Sequence, residues 1–238
     1  VPARLRPTAP IAADAILVGD PGRALLLAQE LLEQPKMSNH ARGLWGYSGI
    51  VAECAIDPHI RGSIAQPAGR ELTIQSVGIG GPSAALVLGE LAGLGVKRAV
   101  RVGTCVGAGD SAGLGALLVV GEALAAGGSA AAHGLERGKR ARPDAELSAR
   151  LERACDGDGV LVASFDVHPR ADSIPAGAVA AEMQTASLLA AAGTLGVAAA
   201  ALLIVAESAG GEHLETEALA EIEKRAGRAA LLALSSSS

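Results

Sequence analysis

Arg23 closes the turn Gly19-Asp20-Pro21-Gly22-Arg23 directly behind the apolar run 15–18, and Arg101 stands inside another apolar run, AVRVGTC at 99–105. A glycine-rich turn that opens a helix leaves backbone N–H groups free for an anion, and a guanidinium adds a two-pronged donor. Taken alone, the first turn reads equally as a strand-to-helix connection with a solvated arginine. Arg101 is more telling, because arginine in a buried strand is costly unless it meets an anion or a carboxylate. Its partner is either an internal carboxylate or one phosphate gripped from two turns by Arg23 and Arg101, with the Thr104 hydroxyl and backbone N–H close by.

The elements that must position these groups are short and apolar. Runs at 15–18, 72–77, 99–105, 117–124, 160–167 and 200–207 read as buried strands. Helical patterns at 22–34, 82–95, 144–155 and 182–193 alternate with them, and a last helix spans 213–234. This order predicts an α/β fold: one domain over residues 1–238, a mixed central sheet flanked by helices, and a disordered tail at 235–238. Ligands of such sheets bind at the carboxyl ends of strands, where VGDPGR, VGIGGPS and RVGTC all fall.

Composition narrows the function. A net charge of −5 excludes a general nucleic-acid binder, so any arginine site is local. Three aromatics, Trp45, Tyr47 and Phe165, leave the core to Ala, Val, Leu and Ile. Cys54, Cys105 and Cys155 form no CxxC pair, and the five histidines, His40, His59, His133, His168 and His213, show no ligand spacing, so neither disulfides nor a metal are expected. The thiols fit a reducing cytoplasm, and no targeting segment is visible. The uncharged stretch 183–206 is broken by Gly193 and Gly196 into a helix and a strand rather than a membrane span. GIGGPS at 78–83 puts Ser83 where a dinucleotide fingerprint needs its third glycine, and no GxxxxGK[ST] occurs.

VGDPGRA (18–24), SVGIGGPSAALVLGELAGLGVKRAVRVGTC (76–105) and AAEMQTASLLAAAGTLGV (180–197) together resemble the type I nucleoside phosphorylases, from about Asp14 to Leu234. That family includes hexameric purine nucleoside phosphorylases and uridine phosphorylases. The resemblance implies that Gly19, Arg23, Arg101 and Thr104 hold phosphate, with Arg42, in SNHARGLWGYSG (38–49), reaching in from a neighbouring subunit. It sets Glu182, Met183 and Gln184 along the nucleoside and offers His168 or Phe165, in ASFDVHP (163–169), as the side chain stacked on the base. Glu207 falls where purine-cleaving members carry an acidic proton donor.

Four departures qualify it. Gln184 replaces a glutamate that binds the ribose hydroxyls, and a neutral amide favours a cationic sugar less, so Gln184→Glu is expected to raise turnover. Glu207 follows Ala206 where the family has Ser-Asp, and Val106 replaces a glycine. No Gln-x-Arg pair for uracil follows residue 169. The expectation is a homo-oligomeric phosphorylase of a purine ribonucleoside, with inorganic phosphate as co-substrate, no further cofactor, and Glu207 and Arg101 as catalytic groups. A uridine phosphorylase or a nucleosidase on the same fold is the alternative, and a weakened nucleoside-binding protein is the alternative of another class.

Overall fold

β1 (Asp14–Val18) is a central strand between two parallel neighbours, β4 (Glu71–Ser76) and β5 (Arg98–Gly107), and is buried on both faces because helices cover each side of the sheet. The computed structural model describes residues 4–53, 69–109 and 112–235; Cys54, His59 and residues 236–238 lie outside them. β2 (Leu32–Asn39) and β3 (Gly46–Val51) extend the sheet antiparallel beyond β4. On the other side, β5 pairs with β10 (Ala198–Glu207) along its length and with β9 (Ala180–Glu182) at its end. β6 (Leu117–Ala125) joins β10 to β8 (Val160–Ser164), and β8 pairs with β9. The pairing thus returns to β5 and closes this half of the sheet into a five-stranded ring, while the short β7 (Arg140–Ala141) hangs on β6.

The side-chain period of two splits the core. Ala15, Leu17, Ala99, Ala201 and Leu203 face α2 (Gly81–Gly93) and α4 (Thr185–Leu195). Ile16, Val18, Val100, Val102 and Leu202 face α1 (Pro21–Leu31), α3 (Ala145–Cys155) and α5 (Thr216–Ser235). Arg101 shares the parity of Ala99, which sends its side chain toward the start of α4. Asp20 caps α1 by accepting the Arg23 amide at 2.9 Å, and Pro21 occupies the first helical turn, where its missing N–H costs nothing.

The expected α/β architecture is present, with local differences. β2 and β3 were not expected: LEQPKMSN is an edge strand with Pro35 and half its side chains in solvent, so it lacks an apolar alternation. Residues 182–184 are strand end and turn, and α4 starts at Thr185. The stretch 183–206 is split at Gly196, and no helix among the described residues is long and apolar enough to cross a membrane. Ser235, expected in a tail, is instead the buried last residue of α5, its hydroxyl donating to the Leu231 carbonyl at 2.6 Å.

Candidate active site

The carboxyl ends of β1, β4, β5 and β10 open into a cavity of about 770 Å³. Gly19, Arg23, Arg42, Arg101, Thr104, His168, Glu182, Met183, Gln184 and Glu207 all line it. Ten of the eleven residues singled out in the sequence therefore meet in one place. The exception is Phe165, which packs beside Ala163, Ala178 and Ala181 while its amide donates to the Glu182 carbonyl at 2.8 Å. Of the two stacking candidates, only His168 reaches the cavity, because β8 ends at Ser164 and the backbone bond fixes Phe165 behind the wall.

The two arginines are held differently. Arg101 is 3% exposed, its Nη2 lying 2.9 Å from Glu182 Oε2, and Nε and Nη2 donate to Gln184 Oε1 at 3.2 and 3.0 Å. Its Nη1 is buried with no hydrogen-bond partner among the described residues. The guanidinium folds over Gly103, where an added Cβ would sit 2.1 Å from Nη1, so this position needs glycine. Burial pushes the Arg101 pKa down; Glu182 opposes that push and the nearby Arg23 cation adds to it. Arg23, on the first turn of α1, donates from Nε to Glu223 Oε1 at 2.6 Å. Its two Nη groups make no hydrogen bond to any described residue. Two like charges near enough to repel, each neutralised by one carboxylate, border one end of the cavity. The internal salt bridge weighed for Arg101 is present, and the two Nη groups of Arg23 face no hydrogen-bond partner among the described residues.

Glu182 acts in the wall. Its Oε1 accepts from the Ser164 hydroxyl at 2.5 Å and the Thr185 amide at 2.9 Å, and Oε2 accepts from the Gln184 amide at 2.7 Å. With Arg101 added, this carboxylate is fully engaged with protein groups. The Gln184 side chain is committed as well, since Nε2 donates to the Gly78 carbonyl at 2.7 Å while Oε1 faces Arg101. Gly78 and Gly80, at φ of 75° and 83°, give the turn that presents those carbonyls. Met183, half-buried between these two residues, turns toward the cavity.

At the other end His168 Nε2 lies 3.6 Å from Glu207 Oε2. Asp166 pins the His168 loop, its carboxylate accepting from the Gly128 and Ser129 amides at 2.6 and 3.3 Å. Hydrogen bonding from Ser129, then from the Gly128 amide, outweighs partial burial and holds the Asp166 pKa below the usual carboxylate range. The turn after β10 brings His213 into register with Glu207 and into the cavity lining. Sequence reasoning did not select His213; its only signal is the Ser-Ala-Gly-Gly turn that folds it back. Leu44 and Ile79 were missed too, being apolar residues in loops. Cys105 lines the floor, but burial pushes its thiol up to about 12, so it stays protonated. Exposed Arg42, at φ 60°, borders the cavity of its own chain. No cluster of three or more metal-ligating side chains exists among the described residues.

An α/β sheet that closes on itself and carries an arginine-rimmed cavity at its strand ends defines the class. Residues 14–169 match the family model of the phosphorylase superfamily, and the chain belongs to that family. It is 35% identical over 96 residues to the DeoD-type purine nucleoside phosphorylase of Oceanobacillus iheyensis, a match covering 40% of this chain and 34% of that protein. The corresponding protein of Caldanaerobacter subterraneus subsp. tengcongensis is 34% identical over 96 residues. The match thus spans about a third of the length of these curated relatives. The solved uridine phosphorylase of Vibrio fischeri ES114 superposes with a TM-score of 0.76 at 21% identity, covering 94% of this chain and 92% of that one. That likeness carries the fold.

Proposed function

We propose that the protein is a nucleoside phosphorylase acting on a purine ribonucleoside. The observation that carries the reading is the pairing of two cavity ends: the fork of Arg23, free of partners among the described residues, beside Arg101, and Glu207 with His168 across from them. Phosphate would lie against Arg23, Arg101, Thr104, Arg42 and the Gly19 turn, with its attacking oxygen directed at C1′. As the C1′–N bond breaks, its electron pair goes to the base, and Glu207 donates the proton that the leaving purine takes up at N7. The sugar, packed on Met183, leaves as the 1-phosphate. The DeoD-type relatives are named for purine nucleosides, and a carboxyl facing an imidazole suits a base that needs a proton more than a uracil. Ile79 and Val167, both largely exposed, suit a second copy of the chain, and a homo-oligomer is part of the reading. The resemblance assigns Arg42 to a neighbour's site; its position on its own cavity supports a role within one chain.

Incubating the protein with inosine, adenosine, uridine and 5′-methylthioadenosine, each with and without phosphate, tests the proposal. Purine nucleosides should be cleaved only with phosphate; equal cleavage without it would establish a nucleosidase. A second reading, a slow enzyme retained for binding, draws on Gln184, whose amide is taken up by Arg101 and Gly78. Nucleoside binding in a calorimeter with no product on prolonged incubation is its signature.

A further inference from the structure

The C-terminal helix meets the anion end of the cavity at a point that no part of the sequence reading used. Arg23, Leu27 and Glu30 of α1 face Glu223, Gly227 and Arg228 of α5, forming three successive rungs between the two helices. The first rung is the 2.6 Å bond from Arg23 Nε to Glu223 Oε1, with Arg23 and Glu223 each 8% exposed. The second is a close approach, where a Cβ at Gly227 would meet Leu27 Cδ2 at 2.6 Å. The third is the ion pair of Arg228 with Glu30. Spacings of four and three keep Arg23, Leu27 and Glu30 on one face of α1, and Glu223 and Gly227, four apart, share the opposing face of α5, with Arg228 reaching Glu30 from beside Gly227. The glycine permits the helix separation at which a glutamate stem can reach Nε. A guanidinium gripped at Nε keeps both Nη groups for another ligand, and here they have no hydrogen-bond partner among the described residues.

We propose that Glu223 is a positioning residue for the anion subsite: by holding Arg23 at Nε, α5 fixes the guanidinium with its two-pronged edge toward the cavity, where it takes a tetrahedral oxyanion such as inorganic phosphate. The proposal rests on the phosphorylase reading for the identity of that anion. It separates reach from charge. Glutamine at 223 keeps an acceptor at the same reach without the charge, whereas aspartate keeps the charge on a stem one methylene too short for the bond.

The test is calorimetric titration of wild type, Glu223→Gln and Glu223→Asp with inorganic phosphate, each variant first checked by thermal melting. Nucleoside KM is measured alongside at saturating phosphate. Positioning predicts that Glu223→Gln binds phosphate within about threefold of wild type, while Glu223→Asp loses about tenfold or more, with nucleoside KM little changed in both. A folded Glu223→Asp with wild-type phosphate affinity overturns the proposal. So does the reverse order, with aspartate neutral and glutamine altered, because that is the mark of charge alone. Should Glu223→Gln fail to fold, Glu223→Asp alone decides; should Glu223→Asp fail, Glu223→Ala, which also removes the bond to Nε, takes its place, and wild-type phosphate affinity in it overturns the proposal. Wild type that binds phosphate but cleaves no nucleoside defeats the phosphorylase reading and leaves the Glu223 comparison intact. Wild type that binds no phosphate overturns both.

Discussion

Replacing Gln184 by Glu is the perturbation to which the structure gives the clearest magnitude. The amide is oriented by its surroundings: donors of Arg101 face Oε1 at 3.0 and 3.2 Å, and the Gly78 carbonyl faces Nε2 at 2.7 Å. A carboxylate keeps the first set and cannot make the second. It leaves a buried carbonyl unsatisfied, at about 1–3 kcal/mol, and turns an attractive contact into one between two oxygens. The gain toward Arg101 is limited because Glu182 already neutralises that cation at 2.9 Å. A net loss of about 1–3 kcal/mol lowers Tm by roughly 2–12 °C for a chain of this size. The sign with pH follows: burial beside a carbonyl raises the new carboxyl's pKa in the folded state, so the penalty is largest at neutral pH and shrinks as pH falls toward 5. Protonated, the group can donate to Gly78 again. Differential scanning calorimetry of both proteins at pH 7.5 and pH 5 reads this directly. The gain in turnover expected from sequence presumes a side chain free to meet the sugar, and this one is bound on both sides. Equal Tm values at pH 7.5, or a large rise in kcat without loss of stability, would refute the reasoning.

Arg23→Ala removes the Arg23 fork, and the apparent phosphate KM should rise by about 10- to 150-fold, the worth of one charged hydrogen-bonding group, as read from initial rates at varied phosphate. Glu207→Ala should depress purine nucleoside cleavage by roughly 10²- to 10⁴-fold, and Glu207→Asp should retain much of it; a uridine preference in the parent would show that the base is read by other residues. Asp166 carries a lowered pKa in the folded protein, so its hold on the 128–129 turn persists through neutral pH and is lost as pH falls below the usual carboxylate range. Hydrogen exchange should therefore show residues 165–169 loosening in acid, and Asp166→Asn should show the looser state already at pH 7.

Much of the site was legible because its motifs sit where strands end. Arg23 and Arg101 are conspicuous next to apolar runs, and Glu207 closes the last of them. The groups that tune them were not legible, because their partners are far along the chain. Glu223 is 200 residues from Arg23, and Gln184 is 83 from Arg101. Nothing local in EIEKRAG marks Glu223 as buried rather than solvated. Glu182 could be picked out as a site residue, but not its work in the wall, which depends on Ser164 and the start of α4 arriving together. The strands that failed to show are those of the outer wing, where β2 is half in solvent, and the short β7 and Ala180–Glu182, too short for a period to register. Phe165 went astray for the same reason as the end of β8: the apolar run continues past the last paired residue.

The sugar product made from inosine tests the central claim most directly. In ³¹P NMR with inorganic phosphate present, the account predicts a ribose 1-phosphate resonance growing in step with hypoxanthine, and neither product when phosphate is left out. Free ribose at the same rate in both samples, with no sugar phosphate, would contradict it.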